Sequence, residues 1–215
     1  MQTLLIGCGK MGGALISQWI KTPDMFFTII DPGLTEPPHG THLETDPANL
    51  NAQRFDIVIV AIKPQLVDTI LPTYKDLLHE SGVLVSIAAG CSVKRLQAAM
   101  GPVPVVRVMP NLPCEIGKGV SGLFSSSEVK ASHRASVDAL MTLTGSVVWV
   151  ENEDGLDKIT AIAGSGPGYV FEIARADVEA AIVLGFSEDA GRALGLGALA
   201  GPIWMAQAHD RSLAP

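Results

Sequence analysis

Three glycines near the N-terminus have the spacing of a dinucleotide-binding turn. Gly7, Gly9 and Gly12 follow the apolar run 3–6 and precede residues 14–20, whose apolar positions have helical spacing. In this pattern the first glycine makes the tight turn, the second lets the backbone approach a pyrophosphate, and the third lets helix and strand pack closely. The helix N-terminus offers free N–H groups to the anion. The flanking strand and helix favour a nucleotide site over a glycine turn without a ligand.

An acidic residue ends the next predicted strand. Asp31 follows the β-rich run 26–30, at the distance expected for the acidic residue of this motif. A carboxylate there accepts hydrogen bonds from an adenosine ribose and repels a 2′-phosphate. No Arg or Lys follows before Arg54, so the residues favour NAD(H) over NADP(H). The alternative is an ordinary turn aspartate before Pro32.

Three further segments follow predicted strands and should meet at one edge of the sheet. They are residues 61–65, with Lys63 and Pro64, residues 86–90, with Ala89, and residues 107–113, with Asn111. The carboxyl ends of strands in a doubly wound sheet face the ligand crevice. The small residues of 86–90 leave room for a flat ring. Plain strand-to-helix loops are the alternative for each segment alone, but three on one edge favour a site.

Alternating strands and helices position these segments. Strands are predicted at 3–6, 26–30, near 41–43, and at 56–62, 82–87, 103–108 and 146–150. Helices are predicted at 14–20, 64–79, 92–100, 128–143, 157–163, 167–185 and 187–209. This order predicts an α/β fold with a doubly wound sheet in residues 1–150, followed by an all-helical domain in residues 151–215.

Composition excludes several classes of protein. The 215 residues are 47% hydrophobic, with a net charge of −7 and a mean hydropathy of +0.33, so neither disorder nor nucleic-acid binding is expected. Three separated cysteines do not form a disulfide framework and suit a reducing cytoplasm. Residues 190–208 are apolar but contain Arg192 and Pro202, which favours a subunit-contact helix over a membrane span. The glycines Gly191, Gly195 and Gly201 favour a dimer interface over packing within the chain.

Other reactive residue types do not form a convincing site. The five histidines are scattered, and the closest pair, His39 and His42, lies in a loop without a cysteine, so no metal site is expected. Ser165 lies between two glycines, but the preceding residues are predicted to be helical, which excludes a hydrolase nucleophile elbow. Cys8 is interpreted as a small filler residue in the glycine turn.

Taken together, these motifs resemble the pyrroline-5-carboxylate reductase family over the whole chain. The matching segments are residues 7–12, 61–65, 86–90, 107–113 and 157–171. The resemblance implies a Rossmann domain followed by a helical dimerisation domain, a cytoplasmic homodimer or larger homo-oligomer, and no membrane or nucleic-acid partner. It implies hydride transfer from NADPH or NADH to a cyclic imine carbon, giving L-proline, the last step of proline biosynthesis.

The resemblance also assigns roles to residues. The cofactor-binding set is Gly7, Gly9, Lys10, Met11, Gly12, Asp31, Asn49, Ala61, Lys63, Pro64 and Ala89. Within it, the glycine turn holds the pyrophosphate, Asp31 lies at the adenosine ribose, and Ala61, Lys63, Pro64 and Ala89 border the nicotinamide ribose. The substrate-binding set is Asn111, Ser165 and Gly166.

Some expectations follow from departures from the family pattern. The family's Ser-Pro-Gly-Gly-Thr-Thr segment, which binds the substrate carboxylate, does not occur in the 215 residues. The helical domain is therefore expected to be incomplete at its C-terminal end, and no catalytic acid is assigned. Pro202 is expected to kink the last helix. A related NAD(P)-dependent imine or β-hydroxyacid reductase, and a non-catalytic cofactor-binding sensor, remain alternatives.

Overall fold

The computed structural model describes residues 1–50 and 52–209, and the contacts divide the chain into two compact units. The first unit is Met1–Gly164 and the second begins at Ser165. The division by contacts therefore falls later than residue 150, and the functional boundary at that residue stays a prediction. Residues 210–215, at the end of the predicted helical domain, lie outside the described residues.

An eight-stranded sheet forms the centre of the first unit. Its strands are β1 (Gln2–Ile6), β2 (Phe26–Ile30), β3 (His42–Glu44), β4 (Phe55–Val60), β5 (Leu78–Ser86), β6 (Val105–Met109), β7 (Gly119–Ser125) and β8 (Gly145–Trp149). Their order is β3-β2-β1-β4-β5-β6-β7-β8, and every neighbouring pair is parallel except β6 and β7. The chain leaves β1 toward β2 and later returns to β4 on the other side of β1. This change of direction opens a crevice at the carboxyl ends of β1 and β4.

The helices of the first unit cover both faces of this sheet. They are α1 (Lys10–Trp19), α2 (Val67–Ile70), α3 (Val93–Met100), α4 (Ala131–Thr142) and α5 (Glu153–Ile159). Alternate strand residues enter two buried clusters: Leu4 and Val58 pack on the side of α3, whereas Leu5 and Ile59 pack on the side of α1 and α4. Continuous apolar strands are buried on both faces, as expected for a parallel sheet.

The first unit differs from the prediction in two places, at one helix that is wrong and at one strand that was not predicted. The helix expected over 64–79 is a short 3-10 turn, the four-residue α2 and a second 3-10 segment, Leu71–Leu77, after which β5 begins at Leu78. Pro72 has no N–H to donate and breaks regular helical hydrogen bonding here. The antiparallel strand β7 was not predicted, because Gly119, Ser121 and Gly122 interrupt its apolar residues. A Cβ on Gly122 would lie 2.6 Å from Ile159 Cδ1, so close packing against α5 requires glycine.

The second unit consists of helices α6 (Gly166–Val183) and α7 (Glu188–Ala208). A Cβ on Gly195 would lie 3.0 Å from Val178 Cγ2, and one on Gly191 would lie 3.3 Å from the Val178 carbonyl oxygen. These two glycines therefore serve packing within the chain, which corrects the interpretation of all three as dimer contacts. Gly201 has no atom within 4 Å of its would-be Cβ.

The helix α7 continues through Pro202 to Ala208. No helix among residues 1–50 and 52–209 combines the length and the apolar character that a membrane span requires.

Candidate active site

The glycine turn between β1 and α1 has a shape that only glycine permits. Gly7 has φ +88°, and a Cβ there would lie 2.8 Å from the Ala61 carbonyl oxygen. A Cβ on Gly12 would lie 2.7 Å from the Gly7 carbonyl oxygen. Around Gly9, by contrast, no atom lies within 4 Å of the would-be Cβ. The turn is thus packed on the protein side and open at Gly9, which leaves the space that a pyrophosphate needs.

The first turn of α1 can supply donors to this space. Helix α1 begins at Lys10, after Gly9, and no side chain caps its N-terminus. The first N–H groups of a helix lack intrahelical acceptors, and the helix dipole favours an anion beside them. The uncapped N–H groups beside Gly9, in the first turn of α1, are therefore suited to donate to an anionic phosphate.

Both carboxylate oxygens of Asp31 are held by backbone donors. Oδ2 accepts from the Cys8 N–H at 2.7 Å, and Oδ1 accepts from the Gly33 N–H at 2.8 Å. These bonds fix the carboxylate beside the glycine turn, at the carboxyl end of β2. Burial, and secondarily the charge of Asp31, raise the pKa of the Cys8 thiol. The thiol is thus protonated at neutral pH, in keeping with a filler role.

A cavity of about 550 Å³ lies beside the turn. Five predicted cofactor residues line it: Gly7, Gly9, Asp31, Ala61 and Lys63. Its position at the carboxyl ends of β1, β2 and β4 is the crevice at the change of direction in the sheet. The structure thus brings together residues that follow β1, β2 and β4. Of the three further segments expected to meet at this edge, 61–65 lines the cavity, whereas 86–90 and 107–113 do not.

One wall of the cavity was missed by sequence reasoning. It is formed by the helical turns after β4, whose residues Leu66, Thr69, Ile70, Thr73 and Tyr74 face the cavity. Their spacing of three and four residues is the signal that could have identified one helical face. This wall presents apolar surface and hydroxyl groups, which suits a nucleoside with a flat base and polar edges.

Other predicted cofactor residues do not line the cavity. Met11 packs against the core, with its Sδ 3.8 Å from Cys114 Sγ, and burial raises the pKa of that thiol to about 11. Asn49 is exposed and donates from Nδ2 to Glu44 Oε2 at 3.0 Å. Their cofactor contacts stay predictions.

Lys10, Gly12, Pro64 and Ala89 also lie outside this lining. Gly12 contributes through the close approach of α1 to the turn. Pro64 begins the 3-10 turn after β4, and Ala89 is exposed in the loop after β5. Their roles at the cofactor also stay predictions.

Asn111 is buried and its amide is used by the protein itself. Nδ2 donates to the Ala163 carbonyl oxygen at 2.9 Å, and Oδ1 accepts from the Val120 N–H at 2.8 Å. The regular α-helical donor to the Ala163 carbonyl would be residue 167, which is a proline without an N–H. Asn111 supplies the missing donor, so the structure gives it a positioning role, and its contact with substrate stays a prediction.

The remaining predicted substrate residues belong to the second unit. Ser165 precedes α6, and its carbonyl oxygen accepts from the Gly168 N–H at 3.0 Å, while its side chain makes no capping bond. Gly166 is the first residue of α6, with no atom within 4 Å of a would-be Cβ. Their role as substrate ligands stays a prediction.

The fold and the cavity define a dinucleotide-binding sheet domain of the kind found in NAD(P)-dependent oxidoreductases. Comparison with protein-family models agrees. Residues 153–214 match the model described as pyrroline-5-carboxylate reductase dimerisation. Residues 3–90 match the model described as NADP oxidoreductase coenzyme F420-dependent.

Individual relatives point to one family. The pyrroline-5-carboxylate reductase of Pseudomonas aeruginosa is 32% identical over 212 residues, covering 95% of this chain and 78% of the relative. A crystal structure of Plasmodium falciparum pyrroline carboxylate reductase with NADP bound is similar with a TM-score of 0.87 at 25% identity, covering 98% of this chain and 80% of that chain. The structure of the Coxiella burnetii pyrroline-5-carboxylate reductase is similar with a TM-score of 0.86 at 28% identity, covering 98% of this chain and 81% of that chain. The chain belongs to the pyrroline-5-carboxylate reductase family.

Proposed function

We propose that the chain reduces 1-pyrroline-5-carboxylate to L-proline and prefers NADH to NADPH as the hydride donor. Reduction of this imine is the activity of the family to which the chain belongs. The observation that carries the preference is the carboxylate of Asp31, which two backbone N–H groups hold at the cavity beside the glycine turn.

Asp31 favours the binding of NADH over NADPH through its negative charge and its free lone pairs. A carboxylate oxygen can accept about two hydrogen bonds, so after binding Cys8 and Gly33 each oxygen can still accept one from a ribose hydroxyl. A 2′-phosphate at the same place would meet a fixed negative charge. Among the described residues that line the cavity, Lys63 is the only cation, and it lies after β4 rather than beside Asp31 in the chain.

The remaining residues bind and orient the reactants. A bound nicotinamide cofactor supplies the hydride, which adds to the imine carbon, and the imine nitrogen must be protonated for this addition. The protein's contribution is to hold the nicotinamide side close to the imine and to exclude water. Ala61, Lys63, Pro64 and Ala89 are proposed to border the nicotinamide ribose, while Asn111, Ser165 and Gly166 are proposed to lie near the imine.

We also propose that the chain works as a homodimer or larger homo-oligomer in a reducing cytoplasm. The match to a dimerisation model supports assembly. The exposed apolar residues of α6 and α7 supply a surface for it. The three free cysteines are consistent with a reducing compartment.

The test follows NADH and NADPH oxidation with 1-pyrroline-5-carboxylate and measures proline directly. We expect proline to form with both cofactors and kcat/KM to be higher with NADH. A protein that binds cofactor without forming proline contradicts the proposed reaction. Equal or higher kcat/KM with NADPH contradicts the preference.

Two substitutions at Asp31 separate charge from hydrogen bonding. Asp31→Ser removes the charge and shortens the side chain, whereas Asp31→Asn removes the charge but keeps one oxygen that can accept from Cys8. We expect both to lower the NADH-to-NADPH ratio of kcat/KM by about tenfold, equivalent to about 1.4 kcal/mol. Asp24→Ser, at an exposed site, is the charge-matched control and should leave the ratio unchanged. An unchanged ratio in the Asp31 variants would show that Asp31 does not set the coenzyme preference.

A further inference from the structure

One ion pair of the first unit is largely buried and joins distant parts of the chain. Arg107 Nη1 lies 2.5 Å from Glu153 Oε1, and the two side chains are 11% and 34% exposed. Each of the other four ion pairs among the described residues has a partner that is more than half exposed. A buried ion pair is often no more stabilising than an apolar pair of the same volume. Stability alone therefore does not account for this pair.

Glu153 has a second partner at the start of α3. The same oxygen, Oε1, accepts from the Val93 N–H at 2.9 Å. Val93 is the first residue of α3, and the first N–H groups of a helix have no intrahelical acceptor. Ser92 Oγ already accepts from the Arg95 N–H at 3.2 Å. Glu153 thus supplies a second acceptor at the N-terminus of α3 from a distant part of the chain, with its charge at the favourable end of the helix dipole.

The first turn of α3 supports two loops at the carboxyl edge of the sheet. The loop directly before it contains Ala89 and is closed by the Cys91 N–H, which donates to the Ala88 carbonyl oxygen at 3.3 Å. From α3 itself, Arg95 Nη2 donates to the Pro64 carbonyl oxygen at 2.8 Å, in the loop after β4. A shift of this helical turn would therefore move both loops.

We propose that Glu153 is a positioning residue for the nicotinamide side of the cofactor site. By capping Val93, it fixes the first turn of α3 and with it the loops that contain Ala89 and Pro64. Arg107 holds the Glu153 carboxylate in place for this contact. The inference rests on the proposed function, because that function places these two loops beside the nicotinamide ribose. Hydride transfer depends steeply on placement, since an error of about 1 Å can cost about 100-fold in rate.

Two double variants isolate the cap on Val93. Arg107→Met with Glu153→Gln and Arg107→Met with Glu153→Leu both remove the buried charges and keep similar volumes. Only the glutamine retains an oxygen that can accept from the Val93 N–H. Single variants at Glu153 are avoided, because they would leave the Arg107 charge buried without a partner and would destabilise the fold.

Loss of the cap should impair the binding and placement of the nicotinamide half of the cofactor and leave the affinity for the adenosine half unchanged. We expect kcat with NADH and 1-pyrroline-5-carboxylate to be about tenfold lower in the leucine variant than in the glutamine variant. The Kd of NADH should rise about fivefold in the leucine variant, while the Kd of ADP-ribose, measured by calorimetry, should stay within about twofold in both. The deuterium isotope effect on kcat with deuterated NADH should be larger in the leucine variant.

Several results would overturn this proposal. Equal kcat and equal NADH affinity in the two double variants would show that the cap does not matter. A parallel loss of ADP-ribose and NADH affinity would show a general structural role instead of positioning at the nicotinamide. If the unsubstituted chain forms no proline, the proposed function fails. The ratio of NADH to ADP-ribose affinity in the two variants then still decides the role of Glu153.

Discussion

The two units of the chain differ in the burial of their large apolar side chains. In the first unit Trp19 and Ile59 are completely buried, as are most large apolar residues of the sheet and its helices. In the described part of the second unit, Phe171 and Trp204 are 63% and 68% exposed. Helices α6 and α7 bury small residues instead, at Ala174, Ala181, Gly191 and Gly195. The first unit thus has a core of its own, whereas the second has an apolar surface for a partner to cover.

The largest expected effect comes from removing the buried tryptophan of the first unit. Trp19 stacks on Phe27, with ring centroids 6.1 Å apart, and its Nε1 donates to the Leu140 carbonyl oxygen at 3.0 Å. Trp19→Ala should lower the free energy of unfolding by about 3–5 kcal/mol, because it leaves a cavity. Chemical denaturation measures this. A loss below about 1 kcal/mol would mean that the core around Trp19 is loosely packed.

The exposed tryptophan of the second unit should behave differently. Trp204→Ala should reduce the mass measured by light scattering at a given concentration, because it removes exposed apolar surface from the helices proposed to form the subunit contact. At concentrations where the protein is monomeric, it should change the free energy of unfolding by about 0.5 kcal/mol or less. A large destabilisation of the monomer, with no change in mass, would show that Trp204 stabilises the monomer, as Trp19 does, and does not contribute to association.

Two glycines of α7 differ in whether they pack against α6. Gly195→Ala would place a Cβ 3.0 Å from Val178 Cγ2 and 3.1 Å from the Val178 nitrogen, so crowding should offset the gain in helix propensity. Gly201→Ala meets no atom within 4 Å and should stabilise the monomer by about 0.5–1 kcal/mol. Thermal unfolding of dilute protein compares the two. Stabilisation of the monomer combined with weaker association in Gly201→Ala would assign this glycine to the subunit contact.

The smallest effect is expected at an exposed ion pair of the first unit. Hydrogen bonding from Arg95 lowers the pKa of the Asp68 carboxyl. A lowered pKa in the folded state contributes stability above the unfolded pKa, and this contribution is lost as the pH falls through the folded value. Asp68→Asn should therefore be slightly less stable than the unsubstituted protein at neutral pH and equally stable in acid. A difference that grows in acid would contradict the ion pair.

The position of the glycine turn and of Asp31 beside one cavity could be predicted, because their signals are local. The glycine turn and Asp31 follow apolar strands directly, and the fold class and family follow from the same segments. The wall with Thr69 and Thr73 was missed although its spacing is visible in the sequence, because only the fold shows that this face of the helical turns meets the cavity beside the glycine turn.

Other features escaped prediction because they depend on distant contacts. The role of Gly122 in β7 becomes visible only when Ile159 packs against it. The bond from Asn111 to the Ala163 carbonyl joins segments 52 residues apart. The packing of Gly191 and Gly195 against α6 likewise requires the folded helices, and sequence spacing cannot separate it from packing between subunits.

The hydrogen bond from the Cys8 N–H to Asp31 couples two properties that an engineer would prefer to vary separately. The side chain proposed to discriminate between the two nicotinamide coenzymes also braces the turn proposed to hold their common diphosphate. Replacing Asp31 with a residue that can bind a 2′-phosphate therefore also removes the acceptor for the Cys8 N–H in that turn. A variant that switches to NADPH therefore needs a new acceptor for the Cys8 N–H. Without one, the change in coenzyme preference will be accompanied by weaker binding of both coenzymes.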